Sequence, residues 1–155
     1  MRPRPLNARL TGGTVQDIPF TTSDGTRLSL CRISPRDDGD RPVVLLLHGL
    51  TASADMFVLP EIRNLVEVLL DAGYEPWLLD WRGSCRLPYN EGRERYTLDD
   101  VALYDIPEAV ALVRERIDGR PLSVVAHCIG AMSLSMSMAA DLVPGLTAVV
   151  AQGSS

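Results

Sequence analysis

Ala126-His127-Cys128-Ile129-Gly130-Ala131 places a cysteine with a small residue two positions to either side, between a β-rich apolar run and a run at helical spacing. A chain that turns sharply from strand into helix holds its central residue in strained backbone angles and lifts that side chain off the carboxyl end of the sheet. Such a turn needs small neighbours, which Ala126 and Gly130 supply. The pattern is small-x-Cys-x-small where the serine version reads G-x-S-x-G. A cysteine thiol ordinarily titrates near about 8.5 and a helix N-terminus favours its thiolate, so Cys128 is the candidate nucleophile. The competing reading makes Cys128 a small hydrophobe packed at a strand end. Cys31, in an early strand, and Cys85, in a loop, have no base nearby in sequence and read as structural.

A second constellation is His48-Gly49-Leu50, directly after the apolar run 43–47. A turn of this kind can aim backbone N–H groups at the point where an acyl oxyanion develops. The amide of Leu50 is one candidate donor and that of Ile129, just after the nucleophile, the other. The plainer reading is that His48 and Gly49 only shape a tight turn. His127 adjoins Cys128 along the strand, so alternation sends its side chain elsewhere, and both histidines read as packed structural residues.

The elements that must hold these groups follow from periodicity. Residues 1–13, rich in Pro, Arg and Gly, read as a tail or linker, and 14–155 as one domain. Val15 to Thr22 and Thr26 to Ile33 form an antiparallel pair around Asp24-Gly25, whose glycine supplies a positive φ. Residues 43–47, 77–80, 122–126 and 147–152 read as strands, the first three buried on both faces. Between them the pattern predicts a helix opened by Pro60 with Ile62, Leu65, Val66 and Leu69 as its stripe and Gly73 at its end. It also predicts a helix started by Asp105, Pro107 and Glu108, and a third from Cys128 to about Asp141. Strands alternating with helices make an α/β, three-layer αβα fold with a mostly parallel sheet and an N-terminal antiparallel pair. The loop 82–96, with Arg82, Arg86, Arg93 and Arg95, reads as a solvated surface loop that could instead border a substrate entrance.

Composition bounds the partners. With 20 acidic residues against 15 basic ones, all arginine, the formal charge is −5, which excludes the footprint of a nucleic-acid or anionic-membrane binder. Three cysteines argue against a disulfide framework and for a reducing, cytoplasmic setting. No apolar run approaches the ~20 residues of a membrane span, and nothing implies a metal or a cofactor.

Together these motifs resemble the α/β-hydrolase fold: Leu45-Leu46-Leu47-His48-Gly49-Leu50 for the oxyanion turn, Asp80-Trp81-Arg82-Gly83 after the next strand, and the Cys128 elbow, over about residues 15–155. The chain is most similar to hydrolase domains found beside glucose-methanol-choline type flavin oxidoreductases of the cholesterol oxidase kind, on residues 71–80, 96–100, 104–107 and 127–130. It is also similar to acid-lipase-like enzymes, and to polyhydroxyalkanoate synthases, which carry a cysteine at the elbow.

The resemblance implies an esterase, lipase or acyltransferase acting on a small-molecule ester or acyl substrate, with nucleophile, acid and histidine in that chain order. After Cys128 there is no histidine, and the one acid, Asp141, falls at the end of the following helix. The expectation is therefore the N-terminal part of an α/β-hydrolase fold, with the acid and histidine supplied elsewhere and a last strand that could self-associate through its edge. Two other readings stay open. One is a non-catalytic module docking on a flavin oxidoreductase; the other is a redox thiol, for which no resolving cysteine lies close in sequence.

Overall fold

The computed structural model describes residues 2–8, 10–37, 39–91 and 95–153 of the 155-residue chain. Six runs form strands: β1 (Gly13–Thr21), β2 (Arg27–Pro35), β3 (Val43–Leu47), β4 (Glu75–Asp80), β5 (Leu122–His127) and β6 (Val149–Gln152). They make one sheet in the order β1-β2-β4-β3-β5-β6. β1 and β2 pair antiparallel, β2 meets β4 antiparallel, and β4, β3, β5 and β6 run parallel. Gly25 turns the opening hairpin at φ 85°.

Every residue of β3 is buried, because both sheet faces are covered. Alternation along the strand splits its side chains between two cores. Val43, Leu45 and Leu47 join Trp77, Leu79, Ile106, Val110, Val113 and Leu134 on one face. Val44 and Leu46 join Leu78, Phe57, Val58, Val66 and Leu70 on the other. The second face is closed by α1 (Leu65–Asp71), the first by α3 (Ile106–Arg116) and α4 (Ile129–Ala139).

Two helix starts differ from those the periodicity predicts. Pro60 does not open α1. Asn64 caps it by accepting from the Glu67 N–H at 3.0 Å, Glu67 returns the bond to the Asn64 N–H, and Ile62, expected in the apolar stripe, is exposed. The C-terminal end is as expected: Gly73 lies at φ 87°, and the N–H groups of Gly73 and Tyr74 close back on Leu70 and Leu69 at 3.1 and 2.9 Å.

Asp105 is likewise no cap. The helical path begins at α2 (Leu98–Asp100), capped by Thr97 and Asp100, passes through a π-turn at Val101–Asp105 and continues as α3. Pro107 explains the widening. It has no N–H and its ring crowds the carbonyl four residues back, so the preceding turn opens until the Ile106 N–H reaches Val101 O.

The loop after β4 is not a solvated arginine loop either. The Arg82 side chain, 8% exposed, pairs with Asp105 at 2.7 Å and reaches Asp24 at 2.8 Å. Arg86, 1% exposed, pairs with Asp80 and with Asp17 at 3.0 Å. These clamps fasten the opening hairpin to the carboxyl end of the parallel strands. Arg95 is exposed, and Arg93 lies outside the described residues. At the opposite end of the sheet Glu75 accepts from Arg32 at 2.8 Å, Arg120 at 3.2 Å and Trp77 at 2.7 Å.

The stretch ahead of β1, expected to be a tail or linker, is fastened to the body. The Arg4 N–H donates to Arg86 O and the Asn7 N–H to Asp55, both at 2.8 Å, while Leu6, Ala8 and Leu10 pack on the α1-side core.

Candidate active site

β3 and β5 are neighbours, so their carboxyl ends bring His48-Gly49-Leu50 and Ala126 to Gly130 together. Cys128 sits between β5 and α4 at φ 54°, ψ −120°. A residue with a Cβ occupies that region only at a cost of about 1–3 kcal/mol, which the surroundings must offset. They do so on both sides. The Cys128 N–H donates to Gln152 O on β6 at 2.8 Å, and the Cys128 carbonyl accepts from the N–H groups of Ala131 and Met132 at 3.0 and 3.1 Å. The side chain is half-buried at the first turn of the 11-residue α4.

The two constellations interlock through glycines. A Cβ on Gly49 would stand 3.0 Å from Cys128 Cβ and 3.1 Å from His127 Cδ2. One on Gly130 would stand 2.6 Å from His48 O and 3.1 Å from Leu47 O. Ala126 is fully buried one step before His127. Both glycines therefore exist for close approach, and substitution at either pushes the His48 turn away from the elbow.

Leu50 is 53% exposed, and among the described residues no backbone carbonyl accepts from its N–H. The Ile129 N–H belongs to the first turn of α4, where helical geometry provides no acceptor. The turn after β3 and the start of α4 thus each carry a backbone N–H with no backbone acceptor among the described residues.

His48 is fully buried and its Nδ1 lies 2.8 Å from Gly49 O. A carbonyl only accepts, so Nδ1 carries the proton and Nε2 is a bare acceptor, 4.0 Å from Asp80 Oδ1 and without a hydrogen-bond partner among the described residues. Burial holds the imidazole below its ordinary pKa despite the nearby Asp80 charge, so the ring is neutral. His127 is half-buried on the edge beside Gly49. Of the other sulfurs, burial pushes the Cys31 thiol up to about 12, and Cys85 is exposed. Asp141 lies exposed in the turn after α4. Among the described residues no group of three or more His, Cys, Asp or Glu side chains is placed to hold a metal ion, and no helix is long and apolar enough to cross a membrane.

Three residues that the sequence reading did not place in the site shape it from beneath: Asp80, Trp81 and Arg86. Asp80 accepts from the Ala54 N–H at 2.9 Å, from Ser84 Oγ at 2.6 Å and from Arg86. The Trp81 indole N–H donates to His48 O at 3.0 Å, and its ring stacks on the His48 ring with centroids 4.9 Å apart. The signal for the first two was the Asp80-Trp81-Arg82-Gly83 stretch itself, and Arg86 had none beyond its place in the loop.

Residues 42–154 match the family model described as alpha/beta hydrolase fold, and residues 8–61 match a partial alpha/beta-hydrolase lipase region. The chain is 32% identical over 129 residues to the gastric triacylglycerol lipase of Homo sapiens, covering 74% of this chain and 32% of that one. With Lipase 3 of Drosophila melanogaster it shares 30% over 125 residues, 70% of this chain and 31% of the relative. The chain spans about a third of the length of the curated relatives it matches.

Among solved structures, a thermostable carboxyl esterase from Bacillus coagulans superposes with a TM-score of 0.73 at 17% identity, over 89% of this chain and 44% of that one. An esterase of Pyrococcus furiosus does so with a TM-score of 0.70 at 23% identity, over 97% and 54%.

Proposed function

Because the chain belongs to the alpha/beta hydrolase fold family, we propose that it carries the nucleophile and oxyanion half of a lipase- or esterase-like acyl-transfer site, with Cys128 as nucleophile. The observation that supports this most is the backbone at Cys128, φ 54° and ψ −120°, at the start of α4 and wedged against Gly49. No packing demand of a mere core cysteine requires that strain.

In this reading the Cys128 thiolate attacks the carbonyl carbon of an ester or thioester. The carbonyl oxygen takes up negative charge between the N–H groups of Leu50 and Ile129, and the alcohol or thiol departs as the acyl-cysteine forms. Water then releases the acid. His48 cannot relay the proton, since its Nδ1 is committed to Gly49 O and its ring is sealed from solvent. His127 lies against Gly49 from the end of β5, and no hydrogen bond among the described residues ties its ring to an acid that could orient it as a base. The reading therefore assigns the base and its acid to residues that these 155 do not include. Its substrate class is a carboxylic ester, which agrees with the lipase and esterase names of the relatives.

The test is the single-turnover burst of nitrophenolate, up to one per chain, released on acylation by a short-chain nitrophenyl ester in this chain, Cys128→Ala and Cys128→Ser. A release that falls to background in Cys128→Ala supports the reading. Equal background rates in all three refute it and favour a non-catalytic module, which a flavin oxidoreductase partner would then have to capture.

A further inference from the structure

His48 carries out two tasks in the turn through different atoms. Its carbonyl belongs to the 48–49 peptide, and its Nδ1–H holds Gly49 O, the oxygen of the 49–50 peptide, at 2.8 Å. A peptide is planar, so the direction of the Gly49 C=O fixes the direction of the Leu50 N–H that opposes it. Whatever holds the His48 ring and carbonyl therefore sets the aim of that N–H.

Trp81 holds both. Its indole N–H donates to His48 O at 3.0 Å, and its ring lies against the imidazole at an interplanar angle of 14°. Trp81 is itself fully buried and locked. Tyr96 meets it edge-on at 5.9 Å, and a Cβ on Gly83 would stand only 2.2 Å from indole Cζ3. On its far side His48 O backs onto Gly130 of the elbow helix, where a Cβ would come within 2.6 Å. The carbonyl is thus pinned between β4's successor residue and α4, the helix that starts at the nucleophile.

We infer that Trp81 is a positioning residue for acyl transfer: through the carbonyl and ring of His48 it sets the Gly49–Leu50 peptide so that the Leu50 N–H meets the oxyanion. The inference rests on the Cys128 and oxyanion reading above. It separates two reactions of the same thiol. Attack on an ester carbonyl forms an S–C bond, places charge on the carbonyl oxygen and expels nitrophenolate, while the thiol proton goes to solvent. Alkylation by iodoacetamide forms an S–C bond with loss of iodide and develops no oxyanion.

The experiment follows both reactions at Cys128 by intact-protein and peptide mass spectrometry, in the parent chain and in Trp81→Phe, which keeps a flat ring and removes the N–H. Acylation by the nitrophenyl ester slows about 10- to 100-fold, the scale of a misaimed oxyanion donor, while the alkylation rate stays within about twofold. Equal acylation rates overturn the inference and leave the Cys128 reading standing. A parallel fall in both rates also overturns it, as the sign of general loosening. Failure of the parent chain to acylate at Cys128 overturns the underlying reading and the inference with it. Should Trp81→Phe not fold, benzothienylalanine at position 81 keeps the shape, replaces the N–H with sulfur and is held to the same outcomes.

Discussion

At Cys128 a side chain is held at φ 54° beside two close-packed glycines, of which Gly130 has the least room for a Cβ. Gly130→Ala brings a methyl to 2.6 Å from His48 O, and both the carbonyl and the helix backbone are fixed. Overpacking of that kind costs about 2–3 kcal/mol, so thermal unfolding of Gly130→Ala should shift down by several degrees, with ester acylation lost beyond what the melt accounts for. An unshifted melt would mean that the His48 turn is not pressed against the elbow. That the turns at Cys128–Gly130 and His48–Leu50 end neighbouring strands was legible in the sequence because each is a local spacing. The Trp81 bond to His48 and the Arg86 bond to Asp17 were not, since they join residues 33 and 69 positions apart. Only the sheet order brings those pairs together.

The helices show how local chemistry overrides a periodic stripe. α1 starts where the reciprocal Asn64–Glu67 bonds satisfy the first-turn N–H groups, leaving Ile62 outside. The apolar spacing suggested one extra turn, and the cap decided otherwise. The same holds for Thr97 and Asp100, which start a helical path eight residues before Asp105. Asp105, read as a start signal, turns inward at the π-turn and receives Arg82 instead. Asn64→Ala should lower stability by about 1 kcal/mol, seen as a lower urea midpoint at unchanged slope, whereas Glu61→Ala, ahead of the cap, should not. Equal midpoints for both variants would return the helix start to Pro60. Strand positions were the most legible part of the fold, because β3 and most of β4 are covered on both sides and read as apolar runs, whereas β5, expected to be buried on both faces, alternates buried and half-buried positions beside the short edge strand β6.

The molecule as a whole is two cores separated by a sheet and fastened at both ends by arginine–carboxylate clusters. The Asp17–Arg86–Asp80 cluster lies under the candidate site, and Arg32–Glu75–Arg120 lies at the far end. Burial alone would raise the Glu75 carboxyl, but the bonds from Arg32, Arg120 and Trp77 outweigh it and hold it below its usual range. A carboxylate with a lowered folded-state pKa contributes stability that is present above the unfolded value of about 4.3 and is lost as pH falls through the folded one. Glu75→Gln should therefore destabilise at neutral pH by about 3 kcal/mol and show a shallower loss of stability below about pH 4.3. Parallel pH profiles for parent and variant would contradict that account.

The clusters also explain why the hairpin β1–β2, antiparallel to its neighbour, stays registered on an otherwise parallel sheet: Asp17, Asp24 and Arg32 tie it to charged residues of the loops and strands beside it. All of this architecture serves one arrangement at the carboxyl ends of β3 and β5. A crystal structure of the chain reacted with an alkyl trifluoromethyl ketone, which a nucleophilic thiol converts to a tetrahedral hemithioketal, tests it most directly. The account predicts a bond from Cys128 Sγ to the ketone carbon, with the oxyanion within about 3 Å of both the Leu50 and Ile129 nitrogens. Reaction at Cys85 instead, or an adduct at Cys128 whose oxygen meets neither nitrogen, would contradict it.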